Sequence, residues 1–269
     1  YLWSIDELHA LLGEGDTALA RRYWRMLDIP ALDGGHLPRR GEDPAQIVQQ
    51  TGQSEKAARE RLEAIRSILL AARGERVLPV DDKVLAGWNG LMLAAMAHAA
   101  RAWQDPDLSR AATGIRNYLR DHLWDGAELR RAVAAGQPIG RASLADYAYV
   151  AYGMARYAEL SGDPTDKTFV AVLLNAAWQR FYGADGWRKD DRPLIPGIGA
   201  EPAMPEGALP APSALLIRLA LRSDDPEMVA RAVAAAELAR PQAQSEPFWY
   251  SGHHAALLAL SGVKGESAP

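Results

Sequence analysis

The chain has 269 residues, of which 48% are hydrophobic and 24% charged, with a formal net charge of −4 and a pI near 5.9. That length supports one large domain or two small ones, and the acidic balance leaves no basic footprint for nucleic acid. There is no cysteine, so disulfides, thiolate metal sites and thiol catalysis are excluded in this chain.

No run of about 18 apolar residues occurs, so no membrane span is expected. The composition fits a cytoplasmic protein, and nothing in it calls for a cofactor or a metal. The start, Tyr1-Leu2-Trp3-Ser4, is neither a Met start nor a signal peptide, and it reads as an internal position of a longer protein.

Ser4-Ile5-Asp6-Glu7 has the Ser-x-x-Glu pattern of a capping box. It opens a short helix expected to end near Gly13. A second helix follows over about Asp16 to Leu27. The stretch from Pro30 to Pro44 is rich in Gly and Pro and reads as a loop. Its His36 is expected at the surface, since a lone loop His is more often that than a ligand.

From Ser54 onward the helices alternate in character. Ser54 to Arg73 carries Ala58, Leu62, Ile65 and Leu69 at helical spacing, with charges on the opposite face. Val84 to Ala102 is interrupted only by Asn89, His98 and Arg101, so it is expected to be buried on every side. Asp105-Pro106 opens a two-faced helix, and Leu144 to Leu160 is again nearly apolar. Asp163-Pro164 opens the next, Ala211 to Leu221 is apolar, and Asp225-Pro226 opens another to Arg240. Phe248 to Leu260 is the last, with a flexible tail at 262–269. Asp125-Gly126 and Asp185-Gly186 mark short hairpins at Glu128 to Arg131 and Trp187 to Arg188. No strand of core length is expected.

Eight alternating helices without core strands suit a double ring, inner helices lining a lumen and outer helices covering them. An irregular bundle or an open solenoid is the alternative. The expectation is a single all-α domain over 1–269, with leading helices and a loop over 1–53 and the alternating set over 54–261.

Each apolar helix is preceded by a polar or aromatic cluster. These are Asp81-Asp82-Lys83, then Arg141-Ala142-Ser143 with Asp146-Tyr147, then Glu206 to Ser213, then Ser245 to Tyr250 with His253 and His254. Parallel inner helices bring all four N-termini to one mouth, with unpaired N–H groups and positive dipole ends. Acids, Trp, Tyr and His there suit sugar rings. Glycoside hydrolysis needs two carboxyls, and Asp82 and Asp146 are the best pair. Asp81, Lys83, Trp88, Asn89, Arg141, Tyr147, Ser213, Trp249 and His253 are the candidate substrate contacts.

Structural readings stand beside these. Ser143-x-x-Asp146 is itself a capping box. One of Asp81 and Asp82 is expected to cap the helix or to pair with Lys83 or Arg73. Trp88 reads more readily as core than as a sugar platform, and Asn89 needs a partner inside an apolar helix. Epimerisation by proton abstraction needs two facing bases, with His253 or His254 as suppliers.

The segments Arg73-Gly74-Glu75-Arg76, Pro79, Asp81-Asp82-Lys83-Val84-Leu85 and Trp88-Asn89-Gly90-Leu91-Met92 form a recognisable signature. Together with Leu144-Ala145-Asp146-Tyr147-Ala148 and Tyr1-x-Trp3, they resemble the family of thioredoxin-domain-containing proteins that includes spermatogenesis-associated protein twenty. The resemblance implies a thioredoxin-like domain followed by an (α/α)6 toroid of the six-hairpin glycosidase and N-acylglucosamine 2-epimerase type. On that reading the chain is an incomplete ring of about four helix pairs plus N-terminal helices. The missing part of the same protein or a dimer partner would complete it. Ala145 stands where that family commonly has an acid, which removes one candidate carboxylate. Three functions follow as expectations: hydrolysis by paired carboxylates, a non-catalytic scaffold for a protein or peptide, and a His-based sugar epimerase.

Overall fold

The computed structural model describes residues 1–26, 30, 34–39, 41, 43, 46–47, 52, 54–77, 80–192, 195 and 199–266, without side chains for 261–266. Leu27, Pro44, Pro79 and the last three residues of the expected tail lie outside the described residues. The chain groups into two compact units, Tyr1–Val80 and Asp81–Pro269.

In the first unit, helix α1 (Ile5–Tyr23) starts at Ser4, whose hydroxyl accepts the Glu7 N–H at 3.1 Å. Gly13 sits at φ +74°, a conformation that favours glycine, so α1 is two helices joined at a kink, as the sequence implies. Helix α2 (Glu55–Gly74) buries Ala58, Leu62, Ile65 and Leu69, the stripe that its periodicity defines. Leu62, Ile65 and Leu69 pack with Trp3, Leu8 and Met26. Arg76 lies over the Trp3 ring at 4.0 Å. His36 is not at the surface: it is buried, because its backbone pairs with that of Trp3 in both directions at 2.9 Å.

The second unit is helical apart from short strands. Strand β1 (Val84–Leu85) precedes helix α3 (Ala86–Trp103), so Val84 and Leu85 leave the expected helix. They pair with Val133 and Ala132 of strand β2 (Arg130–Ala134), which forms a hairpin with β3 (Gln137–Arg141). This hairpin lies further along the chain than expected, and Ala135 and Gly136 turn it with positive φ. A two-residue pair, β4 (Tyr182–Gly183) and β5 (Gly186–Trp187), sits where the second hairpin was expected.

The other helices are α4 (Pro106–Tyr118) with a π-helical turn at Leu119–Leu123, α5 (Leu144–Ser161), α6 (Pro164–Phe181), α7 (Pro212–Ala220), α8 (Pro226–Ser245) and α9 (Ser251–Glu266). Helices α3, α5, α7 and α9 pack in succession as an inner row, and α4, α6 and α8 lie against them. One device starts each outer helix. Asp105, Asp163 and Asp225 accept N–H groups at 2.7, 2.8 and 2.9 Å, each with Pro at the first helical position. Inner helices α3 and α7 have Leu85 and Ala211 at the capping position, and neither makes a side-chain cap. The N–H groups of their first turns therefore have no capping side chain, and in α7 the first position is Pro212, which has no N–H to satisfy.

The core between the rows includes Leu93, Tyr147, Leu173, Trp178, Trp187 and Leu216. Trp178 and Trp187 meet at 4.7 Å and 65°. Helix α3 is not buried on every side. Trp88 is 67% exposed and Met92 49%, and these two stand one turn apart on one face. No helix of the described residues is long and apolar enough to cross a membrane.

Candidate functional site

The N-termini of the four inner helices are tied to one another in order. A Cβ at Gly87 of α3 would lie 2.8 Å from Asp146 Oδ1, so only glycine lets the first turns of α3 and α5 meet so closely. Tyr149 of α5 donates its hydroxyl to the Pro210 carbonyl, 2.8 Å away, just ahead of α7. Ser213 of α7 and His253 of α9 are hydrogen-bonded at 2.9 Å. Ser213 Oγ also accepts the Met204 N–H at 3.2 Å. Glu206 takes the Gly252 N–H at 2.7 Å and the Ser251 hydroxyl, and so caps α9.

A cavity of about 370 Å³ opens between the starts of α5 and α7, lined by Arg131, Ser143, Lys189, Asp190, Met204 and Pro212 among others. It falls in the range of about 300–1,000 Å³ usual for small-molecule sites. Leu144 N–H donates to the Lys189 carbonyl at 3.0 Å, which holds the Lys189-Asp190 segment at the helix start. Lys189 Nζ is 3.4 Å from Glu201. Asp190 is exposed and makes no hydrogen bond or ion pair among the described residues. Pro205 also lines the cavity, and the next N–H, of Glu206, donates to the Trp249 carbonyl at 2.7 Å. Trp249 is 52% exposed, with Phe248 edge-on at 5.1 Å.

Asp81, Asp82 and Lys83 are exposed. Asp81 pairs with Lys83 Nζ at 2.8 Å, and that hydrogen bond, joined by the Lys83 N–H, holds its carboxyl below the ordinary range. Neither acid caps α3, because β1 intervenes. Asn89 donates to the Leu85 carbonyl at 2.8 Å, one turn back on its own helix. Asp146 Oδ2 accepts the Ser143 N–H at 2.9 Å and the Ser143 hydroxyl at 2.8 Å, while the Asp146 N–H returns to Ser143 Oγ. This is a complete capping box, so Asp146 is held as a structural acceptor.

Arg141 is committed to Asp191 at 2.7 Å, with Glu128 at 3.5 Å. Burial pushes the Asp191 carboxyl up, and Arg141 and Arg180 outweigh that and hold it below its usual range. Tyr147, Ser213 and His253 are 2%, 0% and 1% exposed. Their side chains are packed in the core, without the open surface expected of substrate contacts. Tyr147 accepts the Leu129 N–H at 2.9 Å, and burial raises its phenol. His254 contacts the Ala243 carbonyl at 2.6 Å. The two histidines therefore do not face each other across an open space, as epimerisation chemistry requires. Among the described residues no three His, Asp or Glu gather as a metal site. The sequence reading missed Arg131, Lys189 and Asp190. The signal for Lys189 and Asp190 was the charged run Lys189-Asp190-Asp191, and Arg131 had none beyond its place in the expected hairpin.

Burial pushes the His253 imidazole down to about 4, against partial support from Glu206 and the Met204 backbone. Its Nδ1 is buried with no hydrogen-bond partner among the described residues. Above pH 6.5 both folded and unfolded forms are neutral. Between 6.5 and about 4 the unfolded chain takes up a proton that the folded chain refuses. Stability should fall by roughly 3 kcal/mol across that window. Urea midpoints at pH 7 and pH 4.5 for wild type and His253→Gln check this: the variant should lose less on acidification, and an equal loss refutes it.

No protein-family model matches the chain. It is 28% identical over 221 residues to spermatogenesis-associated protein 20 of Rattus norvegicus, covering 69% of this chain and 27% of that protein. The human protein matches at 28% over 217 residues, 69% of this chain and 28% of the relative. The chain is homologous to spermatogenesis-associated protein 20 over that stretch. It spans about a quarter of the length of these relatives. Among solved structures, a sugar epimerase from a ruminal bacterium superposes with a TM-score of 0.51 at 14% identity, covering 61% of this chain and 45% of that one. Cellobiose 2-epimerase from Spirochaeta thermophila gives 0.47 at 16%, covering 59% and 43%. The first likeness is one of fold: this chain is mostly helical with few strands, and its structural neighbours are of the six-hairpin glycosidase-like kind, as the sequence resemblance implied.

Proposed function

We propose that the mouth between the starts of α5 and α7 binds a small hydroxyl-rich ligand of the carbohydrate type. The observation that carries this reading is the 370 Å³ cavity, with an unengaged Asp190 carboxylate beside Lys189 and Arg131. A carboxylate accepts hydroxyl hydrogen bonds and the two cations donate them. The exposed Trp249 on the adjoining segment offers a face for a sugar ring. Paired-carboxylate hydrolysis through Asp82 and Asp146 has less support, because Asp146 is spent on its cap. A scaffold that docks a protein is favoured by one observation, the exposed Trp88 and Met92 on α3.

Saturation-transfer NMR against a panel of neutral mono- and disaccharides tests the mouth. Binding should weaken about tenfold in Asp190→Ala, the scale of a lost charge-assisted hydrogen bond. Asp146→Asn should keep binding and lose about 1 kcal/mol of stability with its cap. Sugar turnover abolished in Asp82→Asn with the fold intact would replace this reading by the hydrolytic one. Absence of any sugar contact would remove it.

A further inference from the structure

We propose that the groove between α3 and α5 is a second binding site, for a small organic anion with one carboxylate or phosphate on a compact body. The groove encloses about 480 Å³, again within the usual range for small-molecule sites. It is separate from the mouth. Its α5 side runs from Tyr152 to Glu159, whereas the mouth uses Ser143 to Ala145. At a rise of about 1.5 Å per residue, Arg156 lies roughly 20 Å along the helix from Ser143.

One wall is apolar and small-sided, built from Leu91, Ala94 and Ala95 of α3. The far end is charged. Arg156 Nη1 holds both oxygens of Glu159, at 2.9 and 3.0 Å. Arg101 Nη1 reaches the same carboxylate at 3.3 Å across the helix pair. Two guanidinium groups against one carboxylate leave a net positive charge. Glu159 engages only Nη1 of each in these bonds. The remaining N–H groups of two planar forks are thus held in place and unspent on Glu159.

Tyr152 fixes one fork further: its side chain hydrogen-bonds the Arg156 guanidinium, which lies 5.3 Å from the ring centroid, so Arg101 keeps more free donors than Arg156. Exposed ion pairs contribute only about 0–1 kcal/mol to stability, so stability alone does not account for two arginines gathered at the end of a cavity. An oxyanion accepts from both forks at once, and its body lies along the alanine wall. Glu159 is a positioning residue in this arrangement.

Isothermal titration of the 269-residue chain at low ionic strength tests the site, with benzoate as the carboxylate probe, phenyl phosphate as the phosphate probe, and inorganic phosphate alone. One organic anion should bind saturably, one per chain, in the millimolar range or tighter. The two organic probes tell carboxylate from phosphate. Arg101→Gln and Arg156→Lys should each weaken that binding about tenfold, the Lys variant keeping charge but losing the fork. Asp190→Ala should leave it unchanged. If Arg156→Lys unfolds, the mostly exposed Arg101 carries the test. The proposal is overturned if neither organic probe binds saturably, if binding survives the arginine substitutions, if inorganic phosphate binds as well as the organic anions, or if binding is altered in Asp190→Ala. The last result would place the anion at the mouth. Failure here leaves the mouth reading intact, since that reading rests on neutral sugars and Asp190.

Discussion

Gly153→Ala should destabilise the second unit by at least about 2 kcal/mol, although alanine normally favours a helix interior by about 1 kcal/mol over glycine. The reason is the crossing of α3 and α5. A Cβ on Gly153 falls on the Gly90 carbonyl oxygen, and one on Gly90 comes 2.5 Å from the carbonyl carbon and oxygen of Tyr149. These obstacles are backbone, which has no rotamer by which to give way. Overpacking of this kind costs about 1–3 kcal/mol or more, because the helices must separate along a contact that buries Leu93, Ala94 and Ala97 on one side and Val150 and Met154 on the other.

Gly114→Ala is the internal control. It sits in α4 with nothing within 4 Å of a built Cβ, so it should gain up to about 1 kcal/mol. Urea midpoints followed by circular dichroism give both numbers. The pair of opposite signs is the expected result, and a stabilising Gly153→Ala sinks the close crossing. The same crossing sets the geometry of the groove: Gly87, Gly90 and Gly153 bring α3 onto α5, and the α3–α5 groove opens beside that contact.

The alternation of two-faced and apolar helices was legible because burial on one side and on all sides leave different periodicities. The Asp-Pro starts of α4, α6 and α8 and the capping box at Ser143 and Asp146 were legible for a related reason. Capping is local, and its partners lie within a few residues. What failed was direction. Tyr147, Ser213 and His253 are polar residues beside a helix start, and sequence shows that they need partners but not that those partners lie inward. Their partners, Leu129, Met204 and each other, come from other segments. Trp88 failed in the opposite sense: an apolar residue in an apolar helix reads as core, and only the packing of neighbours leaves it exposed. Val84 and Leu85 went to a strand because a hairpin more than forty residues later recruits them, a long-range demand that overrides the helical run. The cavity was illegible for the same reason, since Arg131, Ser143, Lys189 and Pro212 meet only in three dimensions.

Asp166 is the sharpest case of a residue whose role was hidden, and Asp166→Asn should cost about 3–5 kcal/mol. In sequence it is an acid in the first turn of α6, where an acid commonly serves the helix dipole at the surface. In the structure it is 1% exposed. Arg116 Nε donates to its Oδ1 at 2.7 Å, Arg120 approaches the same oxygen at 3.5 Å, and the Ser161 hydroxyl donates to Oδ2 at 2.9 Å. One carboxylate thus joins α4, the π-helical turn, the end of α5 and α6. Arg116 is itself only 19% exposed, and Arg120 packs over Phe169 at 5.1 Å. Removing the charge leaves two largely sequestered guanidinium groups without their counterion, the situation that costs most in buried pairs. Arg116→Gln should cost a similar amount, and the double variant Asp166→Asn with Arg116→Gln should cost well under the sum, since the second change removes the stranded charge left by the first. Arg120→Ala should cost less, as its contact is longer and its side chain wetter. Because the cluster is buried, added salt should change these differences little. Denaturant unfolding of the four variants decides it: strict additivity, or a loss that disappears in high salt, would show that Asp166 acts as an ordinary surface acid and not as the tie between the two layers.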